Sequence, residues 1–230
     1  RMKVGSGKKL VLHVMTNSFP ASALDVRYRV RLNHVPLTPN EGVVPSPRKA
    51  IRDACGEKIL GSAKEEILKA LDRGAEQVIY FAQDKQFLGD LRKELVSDDD
   101  HGLAYGNVAI LDSSIPGAVR KRLLEPANRD QTRVFLMTSS GARGVSFPKT
   151  DWIIAHVPRF SIECALMEIS QLVYRGRGSY VNANGDRVSG DDVLRHLVML
   201  VDDFLVSDAA PSSRQWLRQS MDLMTLLVML

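Results

Sequence analysis

Five short, nearly continuous apolar runs punctuate this 230-residue sequence: QVIYFA (77–82), NVAILD (107–112), RVFLMT (133–138), WIIAHV (152–157) and HLVMLV (196–201). Runs of this length, rich in β-branched and aromatic residues and lacking polar alternation, belong to strands covered on both faces, as in a parallel sheet. Amphipathic stretches stand between them: AKEEILKALDRG before the first, KQFLGDLRKEL after it, PGAVRKRLLEP after the second and SIECALMEISQLVY after the fourth. Gly74 and Pro126 fall near the ends of these helical patterns, where such punctuation is expected. The last run is two-sided, because VLRHLVMLVDDFLV also reads as a helix, and the alternation upstream favours a strand. Strand and helix in turn predict a doubly wound, mainly parallel α/β sheet in three layers. Ligands of such sheets lie beyond the carboxyl ends of the strands.

Residues 1–60 follow another pattern. KKLVLHVM reads as a strand, DVRYRVRLNHV alternates as a half-exposed strand does, and PLTPNEGVVPSP is a Pro-rich connector. The predicted organisation is therefore a basic flanking segment or tail of a preceding domain over 1–60, a core domain over 61–206, and a C-terminal helical extension over 207–230. The flanking segment holds 11 Lys/Arg against 4 Asp/Glu, while the remainder holds 20 against 23. A basic arm on a near-neutral body suits a polyanionic partner and equally suits ordinary solvation. GSYVNANGDRVSGDD has loop or hairpin chemistry around Asn184-Gly185. No run reaches the ~18 apolar residues that span a membrane, and MDLMTLLVML packs more simply as a helix. The start of the chain lacks the apolar core of a secretion signal. Two cysteines, Cys55 and Cys164, are too few for a disulfide framework or a zinc cluster. Together these point to a reducing, cytoplasmic setting. A chain beginning at Arg1 is expected to belong to a longer polypeptide.

Among stretches that could carry chemistry, GSGKK (5–9) lacks the glycine, the hydroxyl residue and the preceding strand of a phosphate loop. TSSGARGVSFP (138–148) is more informative, since it begins where a buried strand ends. Its small residues let a backbone approach a ligand closely, and they equally serve a tight strand-to-strand turn. In QLVYRGRG (171–178), Gln171 and Arg175 share a helix face, and Gly176 ends the helix so that Arg177 projects from a turn. Cations at a helix C-terminus are common; an aim at an anion is the alternative. Asp202 and Asp203 read as a solvated turn rather than metal ligands, and Asp98–Asp100 as a solvated loop. His156 reads as a core residue with a satisfied hydrogen bond, and Cys164 as packing.

An ARG loop after one strand, one further strand, then a helix ending in Gln-x-x-x-Arg-x-Arg resembles motifs V and VI of superfamily 2 helicases. VIYFA with the following QDKQFLGDL is similar to their motif IV, so the resemblance covers about residues 64–205, a second RecA-like domain. In that family two RecA-like domains close on ATP and Mg, the first supplying the phosphate loop and the Mg-binding acids. The resemblance implies that Arg175 acts as an arginine finger; either Arg177 serves as the second through a shifted turn, or only one finger operates. It places Gln171, Arg143, Gly144 and Ser146 at the nucleotide or at its coupling to nucleic acid. Thr138, Ser139 and Ser140 would touch a DNA or RNA backbone, with Phe81 and Gln83 beside its path. Two positions depart from the family pattern. The second arginine stands two places after the first instead of three, and Ser146 replaces an aspartate common among relatives. No phosphate loop or DExx pair appears, so the chain alone is not expected to hydrolyse ATP. The resemblance thus implies half of an ATP-dependent motor, with the first RecA-like domain as partner and no membrane. Its rivals are a degenerate, non-catalytic nucleic-acid clamp or scaffold, and an unrelated doubly wound protein that binds a nucleotide by itself.

Overall fold

Each of the five apolar runs forms a strand in the computed structural model, which describes residues 9–12, 24–36, 47–98, 101–157, 162–207 and 209–229. In chain order the elements are β1 (Lys9–Leu12), β2 (Leu24–Pro36), α1 (Pro47–Asp72), β3 (Val78–Phe81), α2 (Lys85–Val96), β4 (Val108–Leu111), α3 (Gly117–Leu124), α4 (Pro126–Gln131), β5 (Val134–Met137), α5 (Ser139–Ala142), β6 (Trp152–Val157), α6 (Ile162–Val173), β7 (Ser179–Val181), β8 (Arg187–Ser189), β9 (Arg195–Ser207) and α7 (Ser213–Met229). The main sheet runs β1-β2-β9-β6-β3-β5-β4. Every neighbouring pair is parallel except β1 with β2.

Side chains alternate across this sheet into two cores, which is why the apolar runs are continuous. Tyr80, Leu136, Ile154 and Val198 pack under α1 and α2 against Ile67, Leu88, Leu91 and Leu95. Their neighbours Phe81, Met137, Ala155 and Met199 face Ile169 and Leu172 of α6 and Leu223 of α7. This is the three-layer, mainly parallel α/β arrangement expected from the sequence. The two-sided run 196–201 lies within β9, a strand hydrogen-bonded to β2 on one side and β6 on the other. Pairing on both edges overrides the helical alternative. β7 and β8 form the hairpin expected around Asn184-Gly185, and Gly185 adopts φ 86.

Among the described residues before 61, β2 and α1 are part of the sheet and its covering layer. β2 pairs with β9 along its whole length, and α1 runs across the expected boundary at residue 60. The arginines of this strand are committed within the fold. Arg27 pairs with Asp25 at 2.6 Å, Arg29 with Glu66 of α1, and Arg31 with Asp202 at 3.0 Å. Asp202 and Asp203 accordingly are not a solvated turn. They lie inside β9, 1% and 2% exposed. Asp202 also accepts from Asn33 at 3.1 Å and pairs with His156 at 3.3 Å, so His156 has the satisfied partner expected of it. Burial pushes the Asp202 carboxyl up, but His156 and Arg31 outweigh this and hold it below the usual carboxylate range. Asp98 pairs with Lys64 and His101. Of GSGKK only Lys9 is described, and most of the Pro-rich connector, Asp99, Asp100 and the Cys164 side chain lie outside the described residues.

Candidate functional site

At the carboxyl ends of β3 and β5, a cleft opens between the turn after β5 and the face of α6. Phe81, Ser139, Arg143, Glu168, Gln171, Leu172 and Arg175 line it. Phe81 ends β3 and forms an apolar wall, 1% exposed. α6 contributes residues spaced three, four and seven apart, which a helix stacks on one face. Its last turn tightens to a 3₁₀ turn at Tyr174–Gly176, which carries Arg175. α5 is one short turn after Thr138, and it brings Ser139 to the same opening.

The two loops are held from behind by arginines that bind backbone. Arg120 of α3 donates to the carbonyls of Gly141 at 2.9 Å and Arg143 at 3.0 Å. Arg129 donates to the Ser146 carbonyl at 3.1 Å. Arg195, at the start of β9 and 3% exposed, donates to the carbonyls of Gly176 and Gly190, both at 2.6 Å. Its burial lowers the guanidinium pKa, which nearby Asp191 and Asp151 partly offset. The Phe147 amide donates to the Arg175 carbonyl at 2.7 Å, tying the loop after β5 to the turn after α6. Such carbonyl bonds from guanidinium groups fix loops that have no ladder of their own.

Two close approaches also demand glycine. A Cβ on Gly176 would lie 2.2 Å from the Arg195 guanidinium carbon, and one on Gly141 would lie 1.8 Å from the Leu111 carbonyl oxygen. Gly144 instead meets open space but sits at φ 72, where a side chain is strained.

Of the residues singled out in the sequence, the cleft gathers Phe81, Ser139, Arg143, Gln171 and Arg175. Gln83 lies beside it, accepting from Ser139 Oγ at 3.4 Å and donating to the Glu168 carboxylate. Thr138 is buried, and its hydroxyl shares a 2.9 Å hydrogen bond with Ser140. Gly144 and Ser146 are exposed in the turn that follows. Arg177 stands apart from the cleft, with its guanidinium 5.4 Å from the centre of the Tyr174 ring. Glu168 was not foreseen, although its spacing of three from Gln171 and seven from Arg175 was in plain view. Arg120 and Arg195 left no such signal, since a carbonyl partner has no sequence signature.

Chemically, the cleft offers two guanidinium groups, an amide and a hydroxyl around an apolar wall. Among the described residues neither Arg143 nor Arg175 has a side-chain hydrogen bond or ion pair, and no three metal-ligating side chains converge. Guanidinium, amide and hydroxyl groups can donate to an anionic oxygen, and the one carboxylate of the cleft, Glu168, has the opposite sign. No helix among the described residues is long and apolar enough to cross a membrane.

Comparison with known proteins adds a family. Residues 62–177 match the model described as the helicase conserved C-terminal domain. No curated protein matches the chain. Among solved structures, the C-terminal part of the Fun30 ATPase domain is 17% identical with a TM-score of 0.42, covering 62% of this chain and 40% of its own. Domain 2 of the DEAD-box helicase Mss116p, bound to an RNA duplex, is 14% identical with a TM-score of 0.45, covering 80% and 64%. The E. coli DEAD-box protein SrmB, bound to regulator of ribonuclease activity A, is 15% identical with a TM-score of 0.41, covering 62% and 72%. This chain thus spans less than two thirds of the first two.

Proposed function

This chain belongs to the helicase conserved C-terminal domain family, and on that premise we propose that it completes the ATP site of a superfamily 2 helicase or translocase. The observation that carries the reading is the cleft itself: one opening brings Ser139 and Arg143 from after β5 to Gln171 of α6 and Arg175 of the 3₁₀ turn that closes it. In this reading Arg175 reaches a transferring phosphate, where its fixed charge offsets the charge that develops in the transition state. Gln171 and Arg143 orient the same phosphates, and Ser139 donates to a nucleic-acid backbone beside them. The nucleotide supplies the energy, and Mg with its ligands belongs mainly to a first RecA-like domain. What this chain contributes is position. Arg195, Arg120 and the Phe147 amide clamp the two loops, so Arg175 is held ready without reorganisation.

The test is nucleic-acid-stimulated ATP turnover by the full two-domain protein. Arg175→Ala is expected to lose about 10³-fold or more while still binding ATP, as removal of an arginine finger does. Arg177→Ala is expected to stay near wild type, because Arg177 lies over Tyr174. Normal turnover by Arg175→Ala overturns the reading, and ATP turnover by the isolated 230-residue chain overturns the division of labour.

A second reading, a nucleic-acid clamp without catalysis, draws on Glu168, whose carboxylate opposes a polyphosphate in the cleft. Steeply salt-dependent oligonucleotide binding, unaffected by ATP in the two-domain protein, favours it.

A further inference from the structure

We propose that Gln83 is a latch on the nucleic-acid contact: it occupies the Ser139 hydroxyl until a backbone phosphate displaces it, and Glu168 holds it in place. This rests on the reading of Ser139 as a backbone contact. The chemistry of the three groups forces the orientation. A carboxylate only accepts, so the Gln83 amide nitrogen must face Glu168, and its carbonyl oxygen therefore faces Ser139. A serine hydroxyl has one hydrogen to donate, and the Ser139 Oγ lies 3.4 Å from the Gln83 carbonyl oxygen, a long contact that a better acceptor can replace. A phosphodiester oxygen also only accepts. Backbone and Gln83 therefore compete for the same proton, and binding must open the latch.

Opening it is felt on the other side of the cleft. Gln83 follows β3, Ser139 follows β5, and Glu168 stands on α6, one turn before Gln171 and two before Arg175. Once displaced from Ser139, Gln83 keeps, among the described residues, its bond to Glu168. Its position then follows α6, the element that carries the arginine. A bridge across three elements thus ties occupation of the backbone site to the nucleotide-facing helix, and such coupling is reciprocal.

The latch and a direct contact give opposite signs. The experiment titrates the 230-residue chain with labelled oligothymidylate and oligouridylate, in wild type, Gln83→Ala, Ser139→Ala and the double variant. Ser139→Ala is expected to weaken binding. Gln83→Ala is expected to tighten it about two- to five-fold, the modest net worth of one neutral hydrogen bond. In the Ser139→Ala background that gain should vanish, because no competed proton remains. A general loosening of the fold does not produce a gain confined to one background. Weaker binding by Gln83→Ala makes it a contact and overturns the latch, as does an equal gain with and without Ser139. If Ser139→Ala weakens binding while Gln83→Ala is neutral, the latch falls and the backbone contact stands. If Ser139→Ala binds as wild type, or neither oligonucleotide binds, the Ser139 reading fails and takes the latch with it.

Discussion

Replacing Gly141 by alanine tests whether the turn after β5 is wedged against the sheet as tightly as described. The added Cβ would lie 1.8 Å from the Leu111 carbonyl oxygen and 2.5 Å from its carbon. Carbon–oxygen contacts ordinarily sit at about 3.3–3.6 Å, so roughly 1.5 Å of separation must be found. Leu111, itself fully buried, ends β4, and its carbonyl already accepts from the Thr138 amide at 3.1 Å. Backbone meets backbone, and no side chain can swing aside. Overpacking of this kind costs about 1–3 kcal/mol. Loss of the Thr138 bond adds about 1 kcal/mol, and strain on the two half-exposed Arg120 bonds adds about as much again. The expected destabilisation is about 3–5 kcal/mol, or roughly 6–20 °C in melting temperature for a chain of this size. Gly144→Ala is the control: it meets open space and pays only for its left-handed backbone, about 1–2 kcal/mol. Thermal and urea unfolding followed by circular dichroism compares the two. If Gly141→Ala lies within about 1 kcal/mol of wild type, the turn yields freely and the close approach has no energetic meaning.

The buried network on β9 should show in acid. Asp202→Ala is expected to cost about 3 kcal/mol, at the low end for breaking a buried pair, because Arg31 and His156 remain 24% and 21% exposed. The Asp202 carboxyl is held below its ordinary value, so its contribution is complete above about pH 4 and fades as pH falls through the folded value. Asp202→Ala should therefore flatten the acid limb of a urea-midpoint profile, and an unchanged limb contradicts the assignment. His101 behaves in the opposite sense. The Asp98 carboxylate first, and Asp72 beside it, raise its pKa, so its contribution is present below about pH 6.5 and lost as pH rises through the folded value. His101→Gln is expected to remove that slope between pH 5.5 and 8.5; a slope that survives must belong to other groups.

What was legible followed from burial on both faces. β3, β5 and β6 are apolar at nearly every position because helices cover them twice, and that leaves an unmistakable run. The cleft was legible for a related reason: ligands collect where parallel strands end, and Ser139 and Arg143 follow the end of β5, while Arg175 was marked by its spacing from Gln171 at the close of a helix. β2 was harder. Its alternation of Val26, Tyr28 and Val30 with Arg27, Arg29 and Arg31 is that of a strand with one face in water. The polar face is instead covered by α1, whose Glu66 neutralises Arg29, while Asp202 arrives from 171 residues away. An ion pair over that separation has no local signature, so Asp202 and its neighbour resembled any acidic turn. Arg120 and Arg195 were invisible for another reason: what they grip is backbone, which is the same at every residue.

The placement of β2 has a consequence for how the chain is made. Its partner in the parallel sheet, β9, begins at Arg195, so β1 is the one neighbour available early and a ribosome must deliver residues up to β9 before β2 can join the parallel strands. The strands between Val78 and Val157 lie close together in sequence and can assemble first. Loop closure over so long a span is slow, and an arginine-rich strand is well suited to the wait, because like charges keep it soluble and unattractive to stray strand edges. A fragment cut to the family-matched residues 62–177 would contain neither β2 nor β9. Its β6 would then be the outermost strand, an apolar edge open to pairing with other copies.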